Sequence, residues 1–140
     1  MPVSKLKDLP AGGGGRWPLS GQGGFRSAQW GDMEIGYTVV GPANHAAVYK
    51  GLPGDVCQCP HYGYVFTGRI RCTYPGSDWP DEVASTGEAY FFRAGHVLSY
   101  EADTEALELN PAFALQVLMD QVEANIRAMI PNATDAQPLA

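Results

Sequence analysis

Short runs of alternating apolar and polar residues, each cut by a glycine or proline cluster, fill the chain from Met33 to Leu109 and restrict it to an all-β architecture. Met33, Ile35, Tyr37 and Val39 alternate with Glu34, Gly36 and Thr38 up to the break at Gly41-Pro42. A weaker strand is expected from Ala46 to Tyr49. Cys57 to Cys72 reads as a hairpin broken at Thr67-Gly68, with Tyr64, Val65 and Phe66 before the break and Ile70 and Cys72 after it. Pro75-Gly76-Ser77-Asp78 is a turn cluster, Trp79 to Val83 is expected as a short strand, and Thr86-Gly87 leads into Ala89-Tyr90-Phe91-Phe92. Beyond the corner at Ala94-Gly95, His96 to Tyr100 and Glu105 to Leu109 complete the set. Strands this short and this regularly spaced build a sandwich or a barrel. The 17 glycines and 11 prolines among 140 residues supply the corners and argue against a helical bundle.

The pattern changes at both ends. At Asn110-Pro111 a cap residue precedes a proline at the first helical position. Leu115, Leu118, Met119, Val122, Ile126, Met129 and Ile130 then recur at steps of three and four, as on one face of a helix that Pro131 stops. Such a stripe must be buried across the barrel or against a partner. Residues 1–30 hold two glycine clusters, with Trp17, Phe25 and Trp30 among them and no period, and read as a flexible arm. No strand precedes these glycines and no Gly-Lys-Ser/Thr follows, so they do not make a phosphate loop. The expected organisation is an arm over 1–30, one barrel over 31–110, a helix over 111–130 and a disordered tail over 131–140.

Charge and cysteine usage narrow the functions. With nine Lys and Arg and a net charge of −6, the chain lacks the basic surface that nucleic acid demands. No stretch approaches the roughly 20 apolar residues of a membrane span, and the start of the chain has no run of signal-peptide length, so a cytoplasmic location is expected. Three cysteines, two of them one residue apart, do not form a secreted disulfide framework. A homodimer is a physical expectation, through the aromatic arm added to a neighbour's sheet edge or through the helix.

Asp55-Val56-Cys57-Gln58-Cys59-Pro60-His61 carries the densest chemistry. In a strand its odd positions share one face, so a carboxylate, two thiols and an imidazole line up there, and His96 from a later strand can approach across the barrel. Thiolate with imidazole suits zinc, and copper or iron less well. The alternatives are a polar pocket without metal, a thiol pair at Cys57 and Cys59, and plain buried side chains. Cys72 takes the last reading, and His45 that of a surface residue. Among carboxylates, Asp55 and Glu108 are the available bases. No catalytic residue can be assigned.

The stretch Lys50-Gly51-Leu52-Pro53-Gly54-Asp55-Val56-Cys57-Gln58-Cys59-Pro60-His61-Tyr62-Gly63-Tyr64-Val65-Phe66-Thr67-Gly68-Arg69 resembles the first conserved motif of small bacterial cupin-domain proteins, a metal-bearing strand that runs into a Tyr-Val-x-x-Gly turn. Gly87-Glu88-Ala89-Tyr90-Phe91-Phe92-Arg93-Ala94-Gly95-His96 resembles the second, a glycine turn, an aromatic strand and a corner, with Arg93 where proline is usual. The resemblance spans residues 31 to 130. It implies a cupin-type double-stranded β-helix, or jelly-roll barrel, with one C-terminal α-helix. The family's first motif is His-x-His followed by Glu seven residues before the turn glycine; counting back from Gly68, His61 takes the Glu position, Cys57 the second His and Asp55 the first. Its later His falls at Leu98, and His96 lies two residues earlier on the same face.

A site shifted by one rung follows, with His61, His96, Cys57 and Cys59 as ligands of a divalent metal such as zinc. Asp55, Tyr64, Tyr90, Phe92 and Glu108 are the expected pocket residues. The expected function is metal-dependent action on a small organic molecule; the alternative is a binding module that holds such a molecule without metal or catalysis.

Overall fold

Alternation survives into the folded chain. A computed structural model describes residues 3–130 and contains nine strands: β1 (Phe25–Trp30), β2 (Met33–Val40), β3 (Ala43–Asn44), β4 (His61–Thr67), β5 (Arg69–Thr73), β6 (Glu82–Ser85), β7 (Ala89–Phe92), β8 (Val97–Tyr100) and β9 (Thr104–Pro111). Along β9 every second residue is buried, from Thr104 to Asn110, as a half-buried strand requires. The strands form a five-stranded sheet, β1-β2-β9-β4-β7, and a four-stranded sheet, β3-β8-β5-β6, with every pair antiparallel. Without β1, this is two four-stranded sheets that exchange the chain strand by strand, the order of a jelly roll. The tail assigned to 131–140 lies outside the described residues. Among those described, no helix is long and apolar enough to cross a membrane.

Two apolar clusters fill the interior. Val65, Ile70, Cys72, Phe92, Leu98 and Ala106 form one between the sheets. In the second, Leu115, Leu118, Met119 and Val122 of the helix α2 (Ala112–Met129) meet Trp17 and Phe25 over one end of the barrel. The apolar stripe of α2 therefore closes the barrel of its own chain.

The N-terminal segment corrects the expectation of a flexible arm. Trp17 and Leu19 are buried, and β1 adds to the edge of β2. The short helix α1 (Pro18–Gln22) is held by Glu123 of α2, whose carboxylate accepts the N–H groups of Leu19 and Ser20 at 2.9 and 3.0 Å. Trp17 Nε1–H donates to Asp120 at 2.9 Å. Long-range contacts of this kind leave no local period, which is why the segment reads as unstructured.

Four further corrections concern the elements. Ala46–Tyr49 is a 3-10 turn rather than a strand. The strand expected from Trp79 begins only at Glu82, after the prolines and aspartates of that loop. Asn110 does not cap α2: it is the last inward position of β9, and Pro111 precedes the helix without a side-chain cap. Finally, β4 and β5 are not a hairpin. β4 pairs with β7 and β9, β5 with β6 and β8, and Gly68 turns the chain from one sheet into the other. Its φ of 110° favours glycine, and an added Cβ would fall 2.4 Å from Thr104 Oγ1 and 2.6 Å from the Asp103 carbonyl oxygen.

Candidate metal centre

Cys57 lies in the loop before β4, yet its position is fixed by backbone pairing. Its N–H donates to the His96 carbonyl at 2.8 Å, and its own carbonyl accepts from His96 and Gly95 at 3.1 and 2.8 Å. This isolated antiparallel bridge sets Cys57 and His96 directly opposite each other. His61 opens β4, where it pairs with Phe92, and points inward. Sγ of Cys57 is 3.5 Å from His61 Nε2, and the two imidazole rings are 5.0 Å apart. One donor atom from each of Cys57, His61 and His96 lies within 4.8 Å of the others, and all three residues are buried.

The second nitrogen of each ring decides what the first can do. His61 Nδ1 is 2.5 Å from Asn110 Oδ1. The Asn110 amide is oriented by its NH₂, which donates to Glu108 Oε1 at 3.0 Å and to the Glu34 carbonyl at 3.4 Å. Its oxygen must therefore accept, so Nδ1 of His61 carries a proton and Nε2, the nitrogen a metal would take after displacing any proton there, is the one that faces Cys57. His96 repeats the arrangement: Nδ1 donates to the Arg93 carbonyl, and Nε2, buried, has no hydrogen-bond partner among the described residues. A buried acceptor without a partner is costly in a structure unless something fills its place.

Charge is distributed unevenly over this group. Burial, and then the charge of His61, push His96 down to about 3, which keeps it neutral. Burial opposes a charge on His61 too, but the Glu108 carboxylate, 3.7 Å from Nδ1, and the Cys57 sulfur outweigh it and hold His61 well above the ordinary imidazole range. Burial pushes the Cys59 thiol up, and neighbouring His61 pulls it partly back.

The other expected site residues divide. Cys59 is buried beside His61 but falls outside the three-donor group, and its thiol points to the Pro60 carbonyl at 3.4 Å. Glu108 faces inward next to His61. Phe92 packs 6.3 Å from His96, centroid to centroid. Tyr90 points inward, stacked on Phe92 at 4.4 Å, with its hydroxyl donating to the Leu107 carbonyl. Asp55 is a correction: it lies in an exposed 3-10 turn at φ 56°, and its carboxylate accepts the Gly51 N–H at 2.9 Å, because the strand begins six residues later, at His61. Tyr64 is a second, since it sits on the outward side of β4 against Phe66.

Sequence reasoning missed Asn110 and misplaced His45. The signal for Asn110 was the continuing alternation Ala106, Glu108, Asn110. His45 is half-buried rather than a free surface residue: its ring packs 4.9 Å from Tyr100, and burial pushes it down to about 4. It lines a cavity of about 230 Å³ between the barrel and α2. Leu115, Leu118, Met119 and Val122 form the helical wall of that cavity; Glu108 belongs to its lining, and His61 belongs both to its lining and to the donor cluster.

These donors suit a metal. Two imidazoles with oriented Nε2 atoms and one thiol are a donor set that would hold a divalent metal.

Comparison with known proteins adds likeness of shape. No family model matches the chain, and no curated protein matches it. A cupin-2 domain containing protein from Shewanella frigidimarina is 14% identical, over 62% of this chain and 78% of its own, at a TM-score of 0.40. A Rhizobium leguminosarum protein of unknown function is 16% identical over 76% of this chain and 97% of its own, at 0.45. Iron(II) HppE is 8% identical over 61% of this chain and 49% of its own, at 0.39. The strand order defines the class: the chain has a jelly-roll fold.

Proposed function

We propose that this chain binds one divalent metal ion, zinc foremost, through Cys57, His61 and His96, and brings it to a small organic molecule held in the cavity beneath α2. The observation that carries the reading is the buried, partnerless Nε2 of His96 beside the oriented Nε2 of His61 and the Cys57 sulfur. A metal held there supplies a Lewis acid toward an oxygen of the guest. The chain's own residues do the rest. Asn110 holds the proton on His61 Nδ1, the helical wall gives the cavity an apolar side, and Glu108 provides a carboxylate that can take up or return a proton at the cavity. Buried, unbridged cysteines suit the reducing conditions of the cytoplasm.

A second reading has its own support in the largely apolar lining of the cavity and the neutral His45: a module that holds a small molecule without metal or turnover. Elemental analysis of tag-free protein decides between them. Stoichiometric metal that falls by about tenfold or more in His61→Ala, His96→Ala and Cys57→Ser, with folding retained, is the expected result. Metal-free wild type that also fails to take up added zinc, cobalt or iron sinks the metal reading and leaves the binding module.

A further inference from the structure

The cavity beneath α2 has walls drawn from distant parts of the chain. α1 and β1 supply Leu19 and Phe25, the 3-10 turn Ala46–Tyr49 supplies Val48, β8 supplies Leu98, and α2 supplies its apolar stripe. Most of the polar groups between them are uncharged. The hydroxyls of Ser20, Thr38, Tyr49 and Tyr100 keep their protons at neutral pH, and the ring of His45 is neutral above about pH 4. No lysine or arginine among the described residues lines the cavity. Charge is confined to one end, where Glu108 lies beside His61. That carboxylate is already engaged, since it accepts the Asn110 amide at 3.0 Å and stands 3.7 Å from His61 Nδ1.

These walls select by charge and by size. An anion would lose its water and meet the Glu108 carboxylate at the only charged end, and an ammonium group would find that carboxylate taken. A sugar would bury several hydroxyls against aliphatic side chains that offer them no partner. The volume, about 230 Å³, lies between the roughly 150 Å³ of an engineered apolar cavity that holds benzene and the roughly 300 Å³ at which drug-sized sites begin. It therefore suits a molecule of about eight to ten non-hydrogen atoms.

We propose that the cavity takes an uncharged carbonyl compound or alcohol of this size, with its oxygen toward His61 and its hydrocarbon part under α2. The inference rests on the reading of this cavity as the place of the organic guest, in either its metal-dependent or its metal-free form. His61 fixes the polarity of binding. It belongs to the cavity lining and to the donor cluster alike, so the end of the guest that reaches it is the end that carries the oxygen. The α2 wall offers Leu115, Leu118, Met119 and Val122, against which an oxygen would stay unpaired and a hydrocarbon packs well.

Three probes of nearly equal size and different charge, acetophenone, benzoate and benzylamine, test this on the full chain by isothermal titration calorimetry at neutral pH. The expected result is a Kd for acetophenone below about 1 mM and binding at least about tenfold weaker for both charged probes. Val122→Phe, which fills the cavity from α2, should weaken acetophenone by about tenfold or more and leave bound metal at the wild-type level. Leu118→Ala, which widens it, should shift preference toward the larger acetonaphthone by about fivefold or more. If neither variant folds, the wild-type probe series decides by itself. Acetophenone that binds no better than benzoate or benzylamine, or that binds Val122→Phe unchanged, overturns the proposal. Zinc uptake is read in the same preparations: wild type that takes zinc but not acetophenone overturns this inference alone, whereas wild type that takes acetophenone but no zinc supports it and overturns the metal reading.

Discussion

Asn110 decides which nitrogen of His61 faces the thiol. Its amide donates to Glu108 and to the Glu34 carbonyl, so its oxygen is left for His61 Nδ1. Replacing it by leucine removes the acceptor, frees the ring to change tautomer and leaves Glu108 without that donor. We expect Asn110→Leu to lower zinc affinity by about 10- to 100-fold, and Asn110→Asp, which keeps an acceptor, to stay closer to wild type. Competition with a chromophoric chelator measures both, and a leucine variant of wild-type affinity refutes the role. The sequence hid this residue behind a plausible alternative: Asn-Pro before an amphipathic run is a sound helix-start signal. Cys57, His61 and His96 were legible because donor residues are rare and easily counted. Asp55 was misjudged because an unbroken strand was assumed across Pro60, whereas proline there separates the loop from the ladder.

Among the elements, the corner at Gly68 does most to give the barrel its shape. There the chain leaves the five-stranded sheet as β4 and enters the four-stranded sheet as β5, with the residue in the left-handed region and the 103–104 turn packed against it. A Cβ meets that turn directly, so Gly68→Ala is expected to cost about 2–3 kcal/mol, read as a lower urea midpoint at unchanged slope. Gly76→Ala is the comparison: φ is likewise positive, at 76°, but no atom lies within 4 Å of the added carbon, so its loss should be smaller. Strand positions were legible from alternation, but pairing was not. Two strands joined by a glycine are compatible with a hairpin or with a crossing between layers, and only the partners β7, β8 and β9, far along the chain, select the second. The N-terminal segment illustrates the same limit, since its order comes from Asp120 and Glu123 about a hundred residues away.

Acid stability belongs to the molecule as a whole. His45 is pushed down to about 4 in the folded state, from an ordinary value of 6.5, by burial beneath the cavity wall with Tyr49 and Tyr100 around it. The folded chain refuses a proton that the unfolded chain accepts, so the stability linked to this group is full above pH 6.5 and is lost as pH falls from there toward 4. Wild type should therefore lose stability relative to His45→Gln across that window, and thermal melts at stepped pH would expose a parallel dependence if the reading is mistaken. His96, pushed down to about 3, acts with the same sign in both proteins. At this scale the jelly roll with its closing helix was readable, because strand rhythm and one helical stripe are global signals. The cavity was expected inside the barrel, but it lies at the boundary with α2, since that stripe, meeting the barrel mouth, is what encloses it.

The bridge between Cys57 and His96 has a mechanical side. His61 belongs to the layer containing β4, and His96 leads into β8 of the facing layer, so a single guest gripped by all three donors acts as a clasp across the seam of the sandwich. Prying the two layers apart at this end would then require the clasp to open first, and the tightness of the barrel would be set by the lifetime of the guest.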